Sequence, residues 1–139
     1  MQSTCLADTG ALLAVLDAND RWHPRCLATI KSLRRPLATS EAVLAELFHL
    51  IGDRPRQVAA AWQFLRSGIV TVLPIGDGDF ADLAELMARY HDRPMDFADA
   101  TLVRLARRES LSTVFTIDHD DFETYRIDGR RRFRIVPSR

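Results

Sequence analysis

The sequence predicts an α/β fold with a mainly parallel central sheet and helices on both faces. Two observations carry this. Short apolar or β-branched runs alternate with longer segments whose apolar residues recur at helical spacing, and Gly, Pro or Asp punctuates most junctions. Strands separated by helical crossovers lie parallel, with the helices packed against the sheet. At 139 residues, with no repeat, low-complexity tract or linker, the chain reads as a single domain, 1–139.

Thr4–Ala7 is apolar and too short for a helix, so it is the first strand. Asp8-Thr9-Gly10 breaks it, and Ala11–Leu16 starts a helix. Trp22–Leu33 is a second helix, with Pro24 tolerated in its first turn and Pro36 just beyond its end. Leu37–Thr39 is a short strand. Thr39 or Ser40 caps the next helix, in which Ala42, Val43, Leu47, Leu50 and Ile51 share one face. Gly52–Pro55 is a turn and Arg56–Arg66 a helix. Ile69–Leu73 is strand-like and ends at Pro74. After the break at Gly76-Asp77-Gly78, Asp79 caps a helix running to about Tyr90. His91–Pro94 is a loop. Asp96–Arg108 is amphipathic, with Phe97, Leu102, Val103 and Ala106 as its apolar candidates. Ser112–Ile117 is a strand and Asp118–Phe122 a tight loop or helical turn. Tyr125–Ile127 and Phe133–Val136 form a last strand or a hairpin around Asp128-Gly129.

Composition narrows the function. Hydrophobic residues at 47% and charged residues at 27% suit a soluble globular chain and not a disordered one. No apolar run reaches the ~20 residues of a membrane span. The start, Met1–Asp8, lacks the basic and apolar regions of a secretory leader, so a cytoplasmic protein is expected. Cys5 and Cys26 are too few for a disulfide framework and lack zinc-site spacing. A formal net charge of zero argues against coating nucleic acid by bulk charge. Lys31 is the only lysine, which a GC-rich coding sequence explains as well as any use of Arg on phosphates.

The acids are informative because of where they fall. Asp8 and Asp118 each sit at the carboxyl end of a strand, where parallel sheets bind ligands. Asp96 and Asp99 share a helix start at i, i+3, and Glu46 lies within the helix after Ser40. If the strands are neighbours, these carboxylates converge on one sheet edge. Clustered carboxylates raise one another's pKa, and a hard divalent cation relieves that repulsion. Such a cation activates water and stabilises charge on a phosphodiester. Each acid also has a plain structural reading: Asp8 and Asp96 as helix caps, Asp99 against a helix dipole, Glu46 as a solvated helix residue, Asp118 and Asp121 as loop acids.

The order and wording of four segments resemble the PIN-domain family, in particular its bacterial toxins of VapC type. They are Leu6–Leu12 (LADTGAL), Ala42–Leu47 (AVLAEL), Met95–Ala100 (MDFADA) and Thr116–Phe122 (TIDHDDF), and the resemblance runs along nearly the whole chain. It implies a PIN-like three-layer α/β/α fold and an endoribonuclease dependent on Mg²⁺ or Mn²⁺. By position, Asp8, Glu46, Asp99 and Asp118 match the family's catalytic acids, with Asp8, Asp99 and Asp118 as metal ligands. Thr9 and Thr116 match accessory hydroxyl positions, while Asp96 competes with Asp99, and Asp121 with Asp118. The resemblance further implies an RNA substrate, a cognate antitoxin and a homodimer, with no membrane partner.

Other residues carry structural readings. His23, His49, His91 and His119 are scattered and make no metal site. Trp22 and Trp62 fit packing or partner contact better than base stacking. Arg130, Arg131, Arg132 and Arg134 read as a charged edge strand or an RNA-backbone contact. A housekeeping RNA-processing PIN nuclease and a catalytically silent PIN-like module are the alternatives, and the full acid set speaks against the second. A phosphotransfer domain is disfavoured, because Asp8 is followed by Thr9-Gly10 and no late lysine exists.

Overall fold

The computed structural model describes residues 2–139; Met1, where the expected domain and the leaderless start both begin, lies outside them. Among these residues five strands form one all-parallel sheet: β1 (Cys5–Ala7), β2 (Leu37–Thr39), β3 (Val70–Val72), β4 (Thr113–Phe115) and β5 (Arg134–Val136), in the order β3-β2-β1-β4-β5. β1 is central, with Leu6 opposite Ala38 on one side and Val114 on the other. Its residues and those of β2 are buried throughout, so both read as continuous apolar runs without alternation.

The chain moves outward from β1 to β3, then returns across the sheet to β4 and β5. Right-handed crossovers therefore place the two groups of helices on opposite faces. The outward leg uses α1 (Thr9–Leu16), α2 (His23–Ser32), α3 (Glu41–Ile51) and α4 (Pro55–Arg66), and the return leg α5 (Phe80–Arg89), α6 (Phe97–Glu109) and α7 (His119–Thr124). The strand order reverses beside β1, so the crevice beyond the carboxyl ends of β1 and β4 is the topological switch point. Leu12, Leu47, Leu86, Leu102, Phe115 and Phe122 are fully buried in the core.

Several boundaries differ from the sequence reading. Thr9 and Gly10 belong to the first turn of α1, because Asp8 caps it through the Thr9 N–H at 2.8 Å. Of the two residues before α3, Ser40 is the cap, its hydroxyl accepting from Val43 N at 3.2 Å. Asp79 makes no forward cap on α5 and accepts from the preceding Gly76 N–H at 2.9 Å. Phe97 is 49% exposed and lies outside the core. The last segment is hardly a hairpin: one antiparallel bridge, Arg126 to Arg132, precedes a strand that joins β4 in parallel.

Candidate active site

Asp8 is placed by β1. Its backbone N–H continues the ladder to Phe115 O at 2.9 Å, which holds the residue at the strand's carboxyl end. Its side chain is buried, Oδ1 accepting from Thr9 N and Oδ2 from the Thr116 hydroxyl, both at 2.8 Å. Gly10 lets α1 start this close to the end of β4, since a Cβ there would meet Ile117 Cγ1 at 3.0 Å.

Asp99 comes from the opposite face. Asp96 caps α6, accepting from Asp99 N at 2.8 Å, and this fixes the first turn that carries the Asp99 carboxylate. Asp99 Oδ2 accepts from the Tyr125 hydroxyl at 2.8 Å. Glu46 projects from α3, which is tied to α6 by the Ser40–Thr101 hydroxyl pair at 2.7 Å. Asp118 caps α7, and its own N–H donates to the Thr116 hydroxyl at 3.0 Å. One Thr116 side chain thus links the ends of β1 and β4.

These residues line a single cleft of about 430 Å³ containing Asp8, Thr9, Gly10, Glu46, Leu50, Pro94, Asp96, Asp99, Ile117, Asp118 and Asp121. Every acid singled out in the sequence borders it, and Thr116 supports it from below. At two of the accessory positions the local contacts are specific. The Thr9 hydroxyl points to Val43 O at 3.4 Å, so Thr9 serves Asp8 through its backbone N–H alone. Asp121 is paired with Arg93 at 2.9 Å and is the one cleft acid already balanced by a cation. The residue not anticipated is Tyr125, a buried aromatic whose partner lies 26 positions away.

The electrostatics are those of an uncompensated acid cluster. Among the described residues no Arg, Lys or His pairs with Asp8, Glu46, Asp96, Asp99 or Asp118. Burial, reinforced by Asp8 and Asp96, pushes the Asp99 carboxyl up to about 8. Burial, with smaller contributions from Glu46 and Asp118, pushes Asp8 up to about 6. Asp118 is likewise raised to about 6, by burial and then by Asp121. The donors are all oxygen, which suits a hard divalent cation and no softer metal. Among the described residues no three His, Cys, Asp or Glu side chains stand close enough together to form a ready-made metal cage.

The remaining candidates stand outside this chemistry. His119 is buried, with Nδ1 facing Ile117 O at 3.1 Å and Nε2 facing Pro137 O at 2.8 Å. Trp22 packs on the His119 ring with Arg25 over its face, and Trp62 packs on Phe48. Arg130, Arg132 and Arg134 are exposed around the amino end of β5, away from the cleft at the carboxyl ends. Among the described residues no helix is long and apolar enough to cross a membrane.

Comparison with known proteins agrees with this geometry. A protein-family model for the PIN domain matches residues 5–128. Ribonuclease VapC26 of Mycobacterium tuberculosis is 32% identical over 134 residues, covering 95% of this chain and 99% of the relative. The crystal structure of M. tuberculosis VapC20, a sarcin–ricin-loop-cleaving toxin, superposes with a TM-score of 0.75 at 24% identity, over 84% of this chain and 91% of that one. FitAcB of Neisseria gonorrhoeae superposes with a TM-score of 0.67 at 22% identity, over 94% and 95% of the two chains. With its acids gathered at the switch point of a five-stranded parallel sheet and its sequence matched over most of its length, the chain belongs to the PIN-domain family, alongside the VapC-type ribonucleases.

Proposed function

We propose that this protein is a Mg²⁺- or Mn²⁺-dependent endoribonuclease and the toxin of a type II toxin–antitoxin pair, working in the cytoplasm as one domain. The observation that carries the reading is the pair of recessed carboxylates, Asp8 and Asp99, each held by a neutral hydroxyl in one cleft with no cation against it. Asp8 and Asp99 would hold the ion, Asp118 joining them as a ligand. Glu46 and Asp118, nearer the mouth, would orient water around it or help hold a second ion. Bound there, Mg²⁺ or Mn²⁺ supplies activated water and offsets charge developing on a phosphodiester. The expected products carry a 5′-phosphate and a 3′-hydroxyl.

Similar folds supply a precedent for a partner. VapBC2 of Rickettsia felis has been solved bound to a DNA fragment from its promoter, and FitAB bound to an IR36 DNA fragment. A cognate antitoxin is expected here, and a homodimer is what the resemblance to VapC-type toxins implies. The exposed Phe80, Phe97 and Trp62 are the apolar surface such contacts would cover.

The test is cleavage of total cellular RNA by the purified protein with Mg²⁺ or Mn²⁺, with chelator, and with Asp8→Asn. Discrete fragments that require metal and vanish in the variant are expected. Folded, metal-loaded protein that cuts nothing in the absence of a bound antitoxin would sink the enzyme reading in favour of a silent interaction module.

A further inference from the structure

Each of the two recessed carboxylates accepts from one neutral side-chain hydroxyl. Asp8 Oδ2 accepts from the Thr116 hydroxyl and Asp99 Oδ2 from the Tyr125 hydroxyl, each at 2.8 Å. A lysine or arginine in either place would neutralise the acid and take the position of a cation. A hydroxyl fixes one carboxylate oxygen while leaving the negative charge and the other oxygen for a ligand. For Asp99 the Tyr125 hydroxyl is the only side-chain or backbone donor among the described residues.

The ring that delivers this hydroxyl is rigidly seated. Tyr125 is fully buried, with Phe122 edge-on at 5.3 Å and Tyr90 at 5.1 Å. Tyr90 is itself pinned, its hydroxyl accepting from Arg126 N at 3.0 Å. Tyr125 also ends the helix that Asp118 begins. A single six-residue helix thus delivers a cleft acid at its start and the Asp99 clamp at its end.

We infer that Tyr125 is a positioning residue of the metal site, its hydroxyl fixing the Asp99 carboxylate so that the second oxygen stays available to the divalent cation. The inference rests on the reading of this cleft as a metal site. It accounts for a buried phenol directed at an acid cluster, which packing alone does not require.

Tyr125→Phe tests it by removing only the hydroxyl and keeping the ring and its two edge contacts. Mn²⁺ binding by the purified protein is followed by electron paramagnetic resonance. An affinity about tenfold below wild type is expected, the scale on which metal sites respond to loss of an outer-shell partner. Thermal melting should confirm an intact fold, and raising Mn²⁺ should restore RNA cleavage. A folded variant with wild-type Mn²⁺ affinity would overturn the inference while leaving the metal site standing. A wild-type protein that binds no Mn²⁺ would overturn both. Wild type also gives a readout independent of the variant: adding Mg²⁺ should produce a tyrosine ultraviolet difference signal that is lost in Asp99→Asn. Metal binding without that signal would count against Tyr125.

Discussion

Asp79 and Asp99 show how one functional group acquires opposite properties. Asp79 is buried, yet the Gly76 N–H, then Arg104 and Arg108, hold its carboxyl down at about 2. Asp99 has no cation against it, and burial with Asp8 and Asp96 lifts it to about 8. The folded, metal-free chain therefore binds the Asp99 proton more tightly than the unfolded chain does. Stability from this group is fully present below the unfolded value near 4 and is lost as pH rises towards about 8. Melting in chelator should show a falling transition temperature between pH 5 and pH 8. Asp99→Asn should flatten that slope and stabilise the metal-free protein at pH 8 by on the order of 2 kcal/mol. A divalent cation should stabilise wild type at pH 8 and do little for the variant. An unchanged slope in Asp99→Asn would show that the cluster's repulsion resides elsewhere. Residues of this kind were legible in the sequence only where their neighbours were local. Asp8 and Asp118 stand out because strand ends can be read from apolar runs. Tyr125 does not, because a tyrosine in an apolar stretch reads as core and its acid lies on another helix.

At the scale of elements, α6 works at both ends. Its first turn carries Asp99 into the cleft, and its last turns carry Arg104 and Arg108 onto Asp79, at 2.6 Å and 3.0 Å. Arg104 also reaches Asp82 on α5, and Arg108 reaches Pro74 O just after β3. The network clamps α6 to the segment from Pro74 to α5, far along the helix from the acids. Removing a buried partner strands the opposite charges, at about 3–5 kcal/mol for a fully buried pair. The two arginine side chains are 19% and 26% exposed, so solvent offsets part of that. Asp79→Asn should cost about 2–3 kcal/mol in urea denaturation while leaving Mn²⁺ affinity unchanged. Because Asp79 is depressed, its contribution is present above the unfolded value near 4 and fades as pH falls towards about 2. The wild-type advantage over Asp79→Asn should therefore shrink in acid. A variant as stable as wild type at neutral pH would show that the clamp is only a surface arrangement. This network was not legible, since Asp79 before a helical segment reads as a cap and nothing local announces arginines 25 and 29 positions later. For β5 the sequence leaves a last strand and half of a hairpin both open, for a similar reason. Asp128-Gly129 signals a turn, but its flanks close one bridge only, and the strand's true neighbour is chosen by register with β4.

At the scale of the molecule, the sheet was legible because buried parallel strands are short apolar runs between helical segments. Strand ends were less so: each strand is three residues long, and a flanking apolar residue such as Ile117 extends the pattern without extending the strand. The core is continuous across both faces of the sheet and includes Leu102, fully buried on α6. Leu102→Ala should cost about 2–5 kcal/mol, measurable by chemical denaturation, through lost burial and the cavity it leaves. A loss below about 1 kcal/mol would mean that α6 relaxes into the gap.

The central position of β1 also sets a timetable. Asp8 is synthesised 108 positions ahead of Thr116, its hydroxyl donor. At elongation rates of about 5–20 residues per second, that gap lasts roughly 5–20 s. Throughout it β1 lacks β4, Asp8 lacks its second oxygen's partner, and the cleft has no far wall. A nascent chain on the ribosome is consequently unarmed until β4 and Thr116 emerge. Truncation anywhere before β4 should yield a fragment that never acquires the site.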